Sequence, residues 1–583
     1  MADDKFYKVR EISDLKELIT SNGEIYGDTP AFLYKKVKGG EYFEVSHKKF
    51  SEDVDALGTK LLDMGLKGKK IAIIGANCYQ WEVAYFAVVN GTGIAVPLDK
   101  ELKEDEVHNI LNKAGCDAIF YTEEFEKMVN NFEELDCKIK MSLYHKDGNE
   151  QIENHISNLI NSGYELLENG ERSFIDVEID REETTVILFT SGTTGEPKGA
   201  MISHKNIVTV ILDTARIEDF GYHRSLSVLP IHHTFESTTI MVILHQGGSI
   251  AFFEGLKYVV KNLQESKASM LVAVPLIVES VYNKIWTQAE KSGRAKKLRT
   301  GIKLSNSLKK IGVNKSRKIF KDLYANFGGN LEIFLCGAAA LNPNVTKGLM
   351  DLGFRIYQGY GLTECAPLIT GTYMFDDIYK HSGSCGKVVP SGEMKIINAD
   401  ETGIGEIIYK GENIMKGYYK MPEETEKVII DGWFHTGDLG FVDKDGWLYI
   451  TGRQKNVIVT RTGKNIYPEE LEAKINKVKY VSESMVYSVE EGDSDTKVWV
   501  QIYPDYEMIK QDLGIDIHEP DLSSAQKDTR KKEIFNLFKE SIKDLNEEWS
   551  SYKRVKNIVV REDDFIRTTT KKIKRKESIN EYR

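Results

Sequence analysis

Residues 190–199 read T-S-G-T-T-G-E-P-K-G and follow directly on the apolar run T-T-V-I-L-F at residues 184–189. The glycines let the backbone turn tightly and approach a polyanion, the hydroxyls supply hydrogen-bond donors, and Lys198 adds a positive charge. Because α/β sheets bind ligands at the carboxyl ends of their strands, the segment predicts a phosphate-binding loop. It is not a Walker A loop, since the spacing G-x-x-x-x-G-K-[ST] occurs nowhere in the chain.

Around this loop, segments typical of buried strands alternate with segments typical of helices. Between residues 70 and 121 the order is strand, helix, strand, helix, strand. Such alternation predicts parallel sheets with helical crossovers. Further strands of this kind are predicted at residues 185–190, 225–230, 269–274, 331–336 and 355–358. The predicted fold class is therefore α/β, with doubly wound sheets in a large N-terminal domain.

The pattern changes in the last third of the chain. Short alternating strands follow residue 391, with a hairpin turn at residues 443–446, and they predict a small β-barrel-like subdomain. Beyond Gly452 the pattern is that of a compact α+β unit. We therefore expect a large domain of residues 1–452 and a small C-terminal domain of residues 453–583.

Length and composition exclude several classes of protein. A chain of 583 residues with 41% apolar and 29% charged residues is long enough for several packed units and is not typical of disorder. The net charge of −11 argues against a protein that binds nucleic acid over its whole surface. The six scattered cysteines form no C-x-x-C pair, so neither a zinc site nor a disulfide framework is predicted and a reducing compartment fits best.

The sequence also predicts a cytoplasmic protein that neither enters the secretory route nor spans a membrane. The N-terminus is acidic where a signal peptide is basic, and no 18 residues run without polar interruption. The most apolar stretch, residues 237–253, is broken by His245 and by Gly247 and Gly248. We predict that this stretch forms a buried strand, a turn and a second strand.

Two further segments carry side chains suited to a nucleotide. Residues 357–364 read Y-Q-G-Y-G-L-T-E, where an aromatic ring can stack on a base, a threonine can bind a phosphate oxygen and a carboxylate can hold a divalent ion. Residues 432–440 read G-W-F-H-T-G-D-L-G, where an acidic side chain among glycines suits bonding to ribose hydroxyls. An ordinary strand-to-helix turn remains an alternative for the first of these segments.

Five motifs, in their order and spacing, resemble the core motifs of the adenylate-forming superfamily: T-S-G-T-T-G-E-P-K-G, Y-G-L-T-E, W-F-H-T-G-D, G-R-Q-K-N and T-T-T-K-K-I-K-R. That superfamily includes acyl-CoA synthetases, adenylation domains of peptide synthetases and firefly luciferase. The resemblance covers nearly the whole chain. It implies an AMP-forming acid–thiol ligase that uses ATP, Mg²⁺ and coenzyme A, and whose small C-terminal domain rotates about a hinge.

The resemblance assigns roles to residues at matching positions. Those implied to bind the nucleotide are Thr190, Ser191, Gly192, Thr193, Thr194, Gly195, Lys198, Gly337, Ala338, Ala339, Gln358, Gly359, Tyr360, Gly361, Thr363, Asp438, Arg453 and Lys572. Tyr360 would stack on adenine, and Asp438 and Arg453 would hold the ribose. The implied catalytic residues are Lys572, Thr363, Glu364 and His233, with Thr363 at the α-phosphate and Glu364 as the magnesium ligand.

Three positions concern the two half-reactions that the resemblance implies. Lys572 matches the lysine that bridges acid and phosphate during adenylation, Lys455 falls at the hinge, and Gly463 lies on the loop that rotation brings to the thiol tunnel. The superfamily usually has glycine before the catalytic lysine, whereas this chain has Lys571, which leaves a weakened adenylation step open. The assignment of Lys572 is kept because residues 573–575 align behind it.

The acid substrate is suggested by two further segments. Residues 229–236, L-P-I-H-H-T-F-E, and a basic insert at residues 291–321 are similar to the long-chain fatty acid–CoA ligase branch, so we expect a medium or long fatty acid. His233 would lie near the acyl-adenylate junction, and a histidine satisfied in the core is the alternative.

The basic insert has twelve Lys or Arg residues and no Asp or Glu. A solvated helical hairpin is the simpler interpretation. The alternative is a docking face for an anionic partner: a membrane surface, which would place the protein at the membrane periphery, an acidic carrier protein, or cofactor phosphates. Three other functions also remain open: a synthetase that loads the phosphopantetheine of a carrier protein, an oxygenase of the luciferase type, and a nucleotide-binding sensor without catalysis.

Overall fold

The computed structural model describes residues 6–132, 137–144, 154–190, 196–460, 464–489, 497–567 and 573–582. Its α-helices are α1 Leu15–Tyr26, α2 His47–Asp63, α3 Tyr79–Ala87, α4 Glu104–Ala114, α5 Glu126–Asn130, α6 Ile156–Glu168, α7 His204–Ile217, α8 Thr234–His245, α9 Val259–Ser266, α10 Pro275–Lys291, α11 Ala295–Lys310, α12 Ser316–Ile319, α13 Lys321–Asn326, α14 Pro343–Asp351, α15 Pro422–Glu426, α16 Pro468–Ile475, α17 Tyr506–Leu513, α18 Ser524–Glu548 and α19 Arg575–Glu581.

The strands are β1 Pro30–Tyr34, β2 Phe43–Ser46, β3 Lys69–Ile74, β4 Gly93–Leu98, β5 Ala118–Thr122, β6 Ile139–Tyr144, β7 Thr184–Thr190, β8 Lys198–Ser203, β9 Arg224–Ser227, β10 Ser249–Phe252, β11 Met270–Ala273, β12 Ile333–Cys336, β13 Arg355–Gly361, β14 Leu368–Gly371, β15 Lys387–Val388, β16 Glu393–Ile397, β17 Gly405–Lys410, β18 Gly417–Tyr418, β19 Ile429–Ile430, β20 Trp433–Val442, β21 Leu448–Arg453, β22 Ile458–Val459, β23 Asn465–Ile466, β24 Val481–Val489, β25 Lys497–Pro504 and β26 Val555–Val560.

Two large sheets consist mainly of parallel strands, with antiparallel strands at both edges of the first sheet and at one edge of the second. One has the order β15-β14-β13-β12-β11-β9-β10-β1-β2, and its strands from β13 to β1 run parallel. The other has the order β18-β8-β7-β4-β3-β5-β6, with β7 to β6 parallel. All five residues of β5 are buried, as expected for a parallel strand covered on both faces. The predicted α/β class is confirmed.

Helix α8 corrects one prediction. Residues 234–245 are helical, whereas the sequence predicted that the first part of residues 237–253 is a strand. The second part of the prediction is right, because residues 249–252 form β10. Helix α8 is buried on nearly every face, so its residues show no 3.6-residue periodicity and its apolar run has the same pattern as a buried strand.

The chain divides into two compact units. The large unit comprises the chain up to Lys395 together with Ile408–His435 and Val442–Leu448, and the small unit comprises Ile396–Ile407, Thr436–Phe441 and the chain from Tyr449. In the small unit, strands β24, β25 and β26 form a three-stranded sheet. Side chains of this sheet, of α16 and of α18 share one apolar core. Among the helices of the described residues, none is both long and apolar enough to cross a membrane.

Candidate active site

The two ends of the predicted phosphate-binding loop lie side by side at the edge of a sheet. Strand β7 ends at Thr190 and β8 begins at Lys198, and these two residues are partners in the antiparallel pairing. The hydroxyl of Thr190 donates a hydrogen bond to the carbonyl oxygen of Lys198 at 3.4 Å. The intervening predicted ligands Ser191, Gly192, Thr193, Thr194 and Gly195 lie outside the described residues.

The side chain of Lys198 lies between a carboxylate and an aromatic ring. Its Nζ is 2.6 Å from Oε2 of Glu424 and 5.1 Å from the centroid of the Tyr418 ring. Strand β18 brings Tyr418 to this place, because it pairs with β8 and sets Tyr418 opposite Ala200. Hydrogen bonds from Lys198 and Lys427 hold the pKa of Glu424 at about 2, so this carboxylate is ionised.

Tyr418 connects Lys198 to the predicted metal ligand. Its hydroxyl donates a hydrogen bond to Oε1 of Glu364 at 2.8 Å, while its ring lies under the Lys198 ammonium group. The pKa of Tyr418 is raised above its ordinary value, mainly because the side chain is buried and secondly because of the charge of Glu364. The phenol therefore remains a proton donor. The structure therefore brings together the predicted phosphate lysine and the predicted metal carboxylate.

A buried asparagine supports the turn that carries Thr363 and Glu364. Nδ2 of Asn413 donates to the carbonyl oxygens of Cys365 and Leu368 at 2.8 and 2.7 Å, and its Oδ1 accepts from the Tyr409 hydroxyl at 2.7 Å. Asn413 is fully buried, so these bonds have no competition from water. Sequence reasoning missed Asn413, Tyr418 and Glu424, because they fall in segments without a recognisable motif.

The chemistry of this donor set suits magnesium. Glu364 offers carboxylate oxygens, which are the hard ligands that Mg²⁺ prefers, and Mg²⁺ commonly uses one or two protein carboxylates together with phosphate oxygens and water. Glu364 is only partly exposed, and the neighbouring Tyr418 hydroxyl fixes one of its oxygens.

The two segments predicted to bind adenine lie next to each other, at the carboxyl ends of two neighbouring strands. Strands β12 and β13 are parallel neighbours, with Cys336 opposite Gln358. After β12, Gly337 packs so closely on Phe235 that a Cβ would lie 2.9 Å from the ring, and Ala338 has a φ of 69°. Ala338 and Ala339 are exposed, whereas Tyr360 is buried.

Backbone contacts explain two residues of the Y-Q-G-Y-G segment. A Cβ on Gly361 would lie 1.7 Å from the carbonyl oxygen of Pro367, so only glycine fits at that position. The buried side chain of Gln358 donates to the carbonyl oxygen of Ser382 at 3.2 Å. Gly359 lies opposite Gly371 in the pairing of β13 with β14.

Asp438 and Arg453 form an ion pair within the small unit. Nε of Arg453 is 2.8 Å from Oδ1 of Asp438, whose side chain is buried while that of Arg453 is partly exposed. The structure therefore brings together the two residues predicted to hold the ribose. Lys455 is exposed in a short 3₁₀ turn, Gln454–Asn456. Gly463 and Lys572 lie outside the described residues.

His233 lies immediately before α8 in a cluster of titratable side chains. Its ring centroid is 4.2 Å from that of His232, and Nε2 of His232 is 3.4 Å from Oδ2 of Asp99. Asn77 supports the preceding loop, since its amide donates to the carbonyl oxygen of Leu229 at 2.6 Å. His233 is only partly buried, whereas His232 is buried.

An apolar cavity lies next to this cluster, within the large unit. His232, Thr234 and Ser237 contribute to one part of its wall. The remaining wall is mainly aromatic and aliphatic and includes Trp81, Tyr85, Val186, Leu188, Ile207 and Met241. The wall has the apolar composition of a pocket for a hydrocarbon chain, whereas the space inside it is about 10 Å³, no more than one water molecule needs.

Comparisons with known proteins agree with the sequence motifs. The model of the AMP-binding enzyme family matches residues 20–419. Long chain acyl-CoA synthetase 5 of Arabidopsis thaliana is 30% identical over 488 residues, which cover 77% of this chain and 72% of the relative. Long-chain-fatty-acid–CoA ligase 6 of Rattus norvegicus is 27% identical over 599 residues, which cover 96% of this chain and 84% of the relative.

The fold is also found among solved structures. An anthranilate CoA ligase in complex with anthranoyl-AMP matches with a TM-score of 0.74 and 18% identity, over 99% of this chain and 98% of the other. The family match covers well over half of the chain, and the resemblance to adenylate-forming enzymes is thereby confirmed. The chain belongs to the AMP-binding enzyme family.

Proposed function

We propose that this protein is an ATP-dependent ligase that activates a medium- or long-chain fatty acid as an acyl adenylate and transfers the acyl group to coenzyme A. The observation that carries the proposal is the meeting of Lys198 and Glu364 on the two sides of Tyr418. Lys198 as a phosphate-binding cation and Glu364 as a metal-binding carboxylate, both in contact with the buried Tyr418, would form a site for a nucleoside triphosphate and its metal ion.

In the first half-reaction, an oxygen of the fatty carboxylate attacks the α-phosphorus of ATP. The bond from that phosphorus to pyrophosphate breaks, and pyrophosphate leaves with the electron pair. Because both reactants are anionic, the protein must neutralise phosphate oxygens and hold the reactants in line. Lys198, the hydroxyls of residues 190–194 and Lys572 would supply the charge and the donors, and Thr363 would bind the α-phosphate.

Magnesium held by Glu364 would neutralise further phosphate charge. Tyr418 keeps that carboxylate oriented through its hydroxyl, and Asn413 keeps the turn in place through the carbonyls of Cys365 and Leu368. The adenine would lie against Gly337–Ala339 and Tyr360, with Gln358, Gly359 and Gly361 shaping the strand beside it. The Asp438–Arg453 pair would bind the ribose hydroxyls.

In the second half-reaction, the thiolate of coenzyme A attacks the acyl carbonyl carbon. The bond from that carbon to the AMP oxygen breaks, and AMP leaves as the better leaving group. The proposal includes a rotation about Lys455 that withdraws Lys572 and brings the loop with Gly463 towards the thiol. The domains on the two sides of this hinge would be residues 1–452 and 453–583.

The apolar wall of this cavity supports a fatty acyl substrate, which would have to open the cavity on binding. A hydrocarbon chain along this wall would have its carboxylate end near the polar lining residues His232, Thr234 and Ser237, with His233 beside His232. Burial of each methylene against this wall would contribute about 0.8 kcal/mol, so longer acids would be favoured once the cavity opens. The names of relatives in plants and mammals, which are long-chain acyl-CoA synthetases, point in the same direction.

The basic insert supports contact with an anionic membrane surface, from which a fatty acid would be taken. On α11, Lys296, Lys297, Lys303 and Lys310 are exposed, as is the apolar Leu304 among them. Of the twelve cations in residues 291–321, Arg317 alone has an ion-pair partner within the described residues. Clustered cations around an apolar side chain suit a lipid interface better than an acidic carrier protein.

The proposed function is tested by measuring pyrophosphate release from ATP and Mg²⁺ with straight-chain acids from acetate to oleate, with and without coenzyme A. We expect release that is greatest with medium or long acids, a thioester product with free coenzyme A, and loss of release in Lys572→Ala. A requirement for carrier protein would support the carrier-loading alternative, and an oxygen-dependent oxidation of the adenylate would support the luciferase-type alternative. ATP binding without release would support the sensor.

Membrane contact has a separate test, which is sedimentation with anionic phosphatidylglycerol vesicles. Replacing Lys296, Lys297 and Lys303 by glutamine should abolish sedimentation. The matched control replaces three exposed lysines of α18, which alternate with acidic residues: Lys532, Lys539 and Lys543. Equal sedimentation of the two triple variants would contradict the contact.

A further inference from the structure

The first turn of α16 carries a glutamate that the proposed mechanism does not use. Oε1 of Glu469 accepts a hydrogen bond from Nδ2 of Asn456 at 2.7 Å. The same oxygen lies 3.5 Å from Nη2 of Arg575. Glu469 thus connects the turn that contains Lys455 to the N-terminus of α19, entirely within the small unit.

The other oxygen of this carboxylate faces a glycine. Oε2 of Glu469 is buried and has no hydrogen-bond partner among the described residues. A Cβ built on Gly452 would lie 2.5 Å from this oxygen. The backbone of Gly452 therefore packs directly against the carboxylate, and no side chain fits between them.

Arg575, which lies beside Glu469, is itself anchored by several hydrogen bonds. Nη2 of Arg575 donates to both oxygens of Glu472 at 2.7 Å each, and its Nη1 donates to the carbonyl oxygen of Val486 at 2.9 Å. The amide of Val486 donates to Oε1 of Glu472 at 2.6 Å. These charge-assisted bonds to Glu472, together with the bond to Val486, hold the Arg575 guanidinium group in place.

We propose that Glu469 is a positioning residue of the hinge. Its packing against Gly452 would limit the rotation in one direction. The inference rests on the proposed function, which has two half-reactions and a rotation about Lys455. Gly452 precedes Lys455 in the chain, whereas Asn456, Glu469 and Arg575 follow it. In this structure Gly452 and Glu469 belong to the same compact unit. The proposed rotation about Lys455 would move Gly452 relative to Glu469, so the contact belongs to one hinge state and helps to define it.

A purely structural explanation is that Glu469 stabilises α16 as an acid in its first turn. Glu470 provides the matched control, because it lies in the same turn and its Oε2 accepts from Lys553 at 2.8 Å, away from Gly452. If helix stabilisation were the whole role, Glu469→Ala and Glu470→Ala would behave alike in every assay.

The experiment compares the two half-reactions in four variants: Gly452→Ala, Glu469→Ala, the double variant and Glu470→Ala. Acyl-adenylate formation is followed by pyrophosphate release in a single turnover, and thioester formation is followed from synthetic acyl adenylate and coenzyme A. Gly452→Ala crowds the contact and should change the ratio of the two rates by at least about fivefold, a common size for coupling to a conformational equilibrium. Glu469→Ala in the same chain should cancel most of that change, and Glu470→Ala should leave the ratio unaltered.

A second readout does not depend on activity. Without substrates, Gly452→Ala should speed hydrogen exchange of the amides of residues 453–457. Because Glu469→Ala also removes the hydrogen bond from Asn456, the double variant should exchange no faster than Glu469→Ala alone. Persistence of the Gly452→Ala effects in the double variant, in both measurements, would overturn the role of Glu469. If the unaltered chain performs neither half-reaction, the proposed function fails and the inference about catalysis fails with it, whereas the exchange result still reports on the contact itself.

Discussion

Replacement of Tyr418 by phenylalanine removes one hydroxyl and leaves the ring beneath Lys198. The lost hydrogen bond, 2.8 Å from the phenol oxygen to Oε1 of Glu364, is made to a charged group. Such bonds contribute about 1.5–3 kcal/mol. Because Glu364 is partly exposed, water can replace the hydroxyl and the lower end of that range applies. A loss of about 1.5 kcal/mol corresponds to roughly a tenfold fall in kcat/KM for adenylation.

The assay is pyrophosphate release at a series of Mg²⁺ concentrations. Tyr418→Phe should lower kcat/KM roughly tenfold and raise the Mg²⁺ concentration that gives half-maximal rate, because the carboxylate is no longer held in one orientation. Tyr419→Phe is the matched control, since the hydroxyl of Tyr419 donates instead to the carbonyl oxygen of Ala114 at 3.2 Å. Equal activity and equal Mg²⁺ dependence of the two variants would refute the role given to Tyr418.

Three further predictions concern side chains of the large unit. Asn413→Ala leaves two carbonyls and the Tyr409 hydroxyl without their partner. The free energy of unfolding, measured in urea, should therefore fall by about 3 kcal/mol. A fall under about 1 kcal/mol would contradict the supporting role of Asn413. Ser237→Trp narrows the cavity and should shift the preferred acid to shorter chains, which a chain-length profile like that of the parent protein would disprove. Burial raises the pKa of Glu82 and Glu236 to about 8, above the ordinary carboxyl value, so the folded chain holds protons that the unfolded chain has lost. The free energy of unfolding should therefore fall between about pH 5 and pH 8, by about 1.4 kcal/mol per pH unit for each group. The Glu82→Gln, Glu236→Gln double variant should lack this dependence on pH, and an unchanged slope in that variant would argue against the prediction.

Much of the fold could be predicted because, in most segments, the local pattern of apolar residues agrees with the secondary structure that the segment has in the folded chain. Strand β4 at residues 93–98 and helix α4 at residues 104–114, for example, follow the strand–helix order predicted between residues 70 and 121. The prediction was wrong for α8, because a helix buried on nearly every side loses the periodicity that distinguishes it from a strand. The predicted glycines at residues 337 and 361 are explained by backbone and ring contacts that no sequence pattern contains.

The candidate site could be predicted only where its residues fall in motifs. Lys198 and Glu364 belong to recognisable segments, yet their meeting depends on Tyr418, which reaches them through the pairing of β18 with β8. Asn413 supports the turn that carries the predicted metal ligand Glu364 from a point about 50 residues further along the chain. Such partners are set by tertiary packing, so sequence spacing alone does not reveal them.

The most direct test of the ligase chemistry follows oxygen atoms. A fatty acid labelled with ¹⁸O in its carboxylate is converted to product with ATP, Mg²⁺ and coenzyme A, and the phosphate-containing products are analysed by mass spectrometry. Attack of the carboxylate on the α-phosphorus predicts one ¹⁸O atom in AMP and none in pyrophosphate. Unlabelled AMP, or label in another phosphate product, would contradict an acyl-adenylate intermediate.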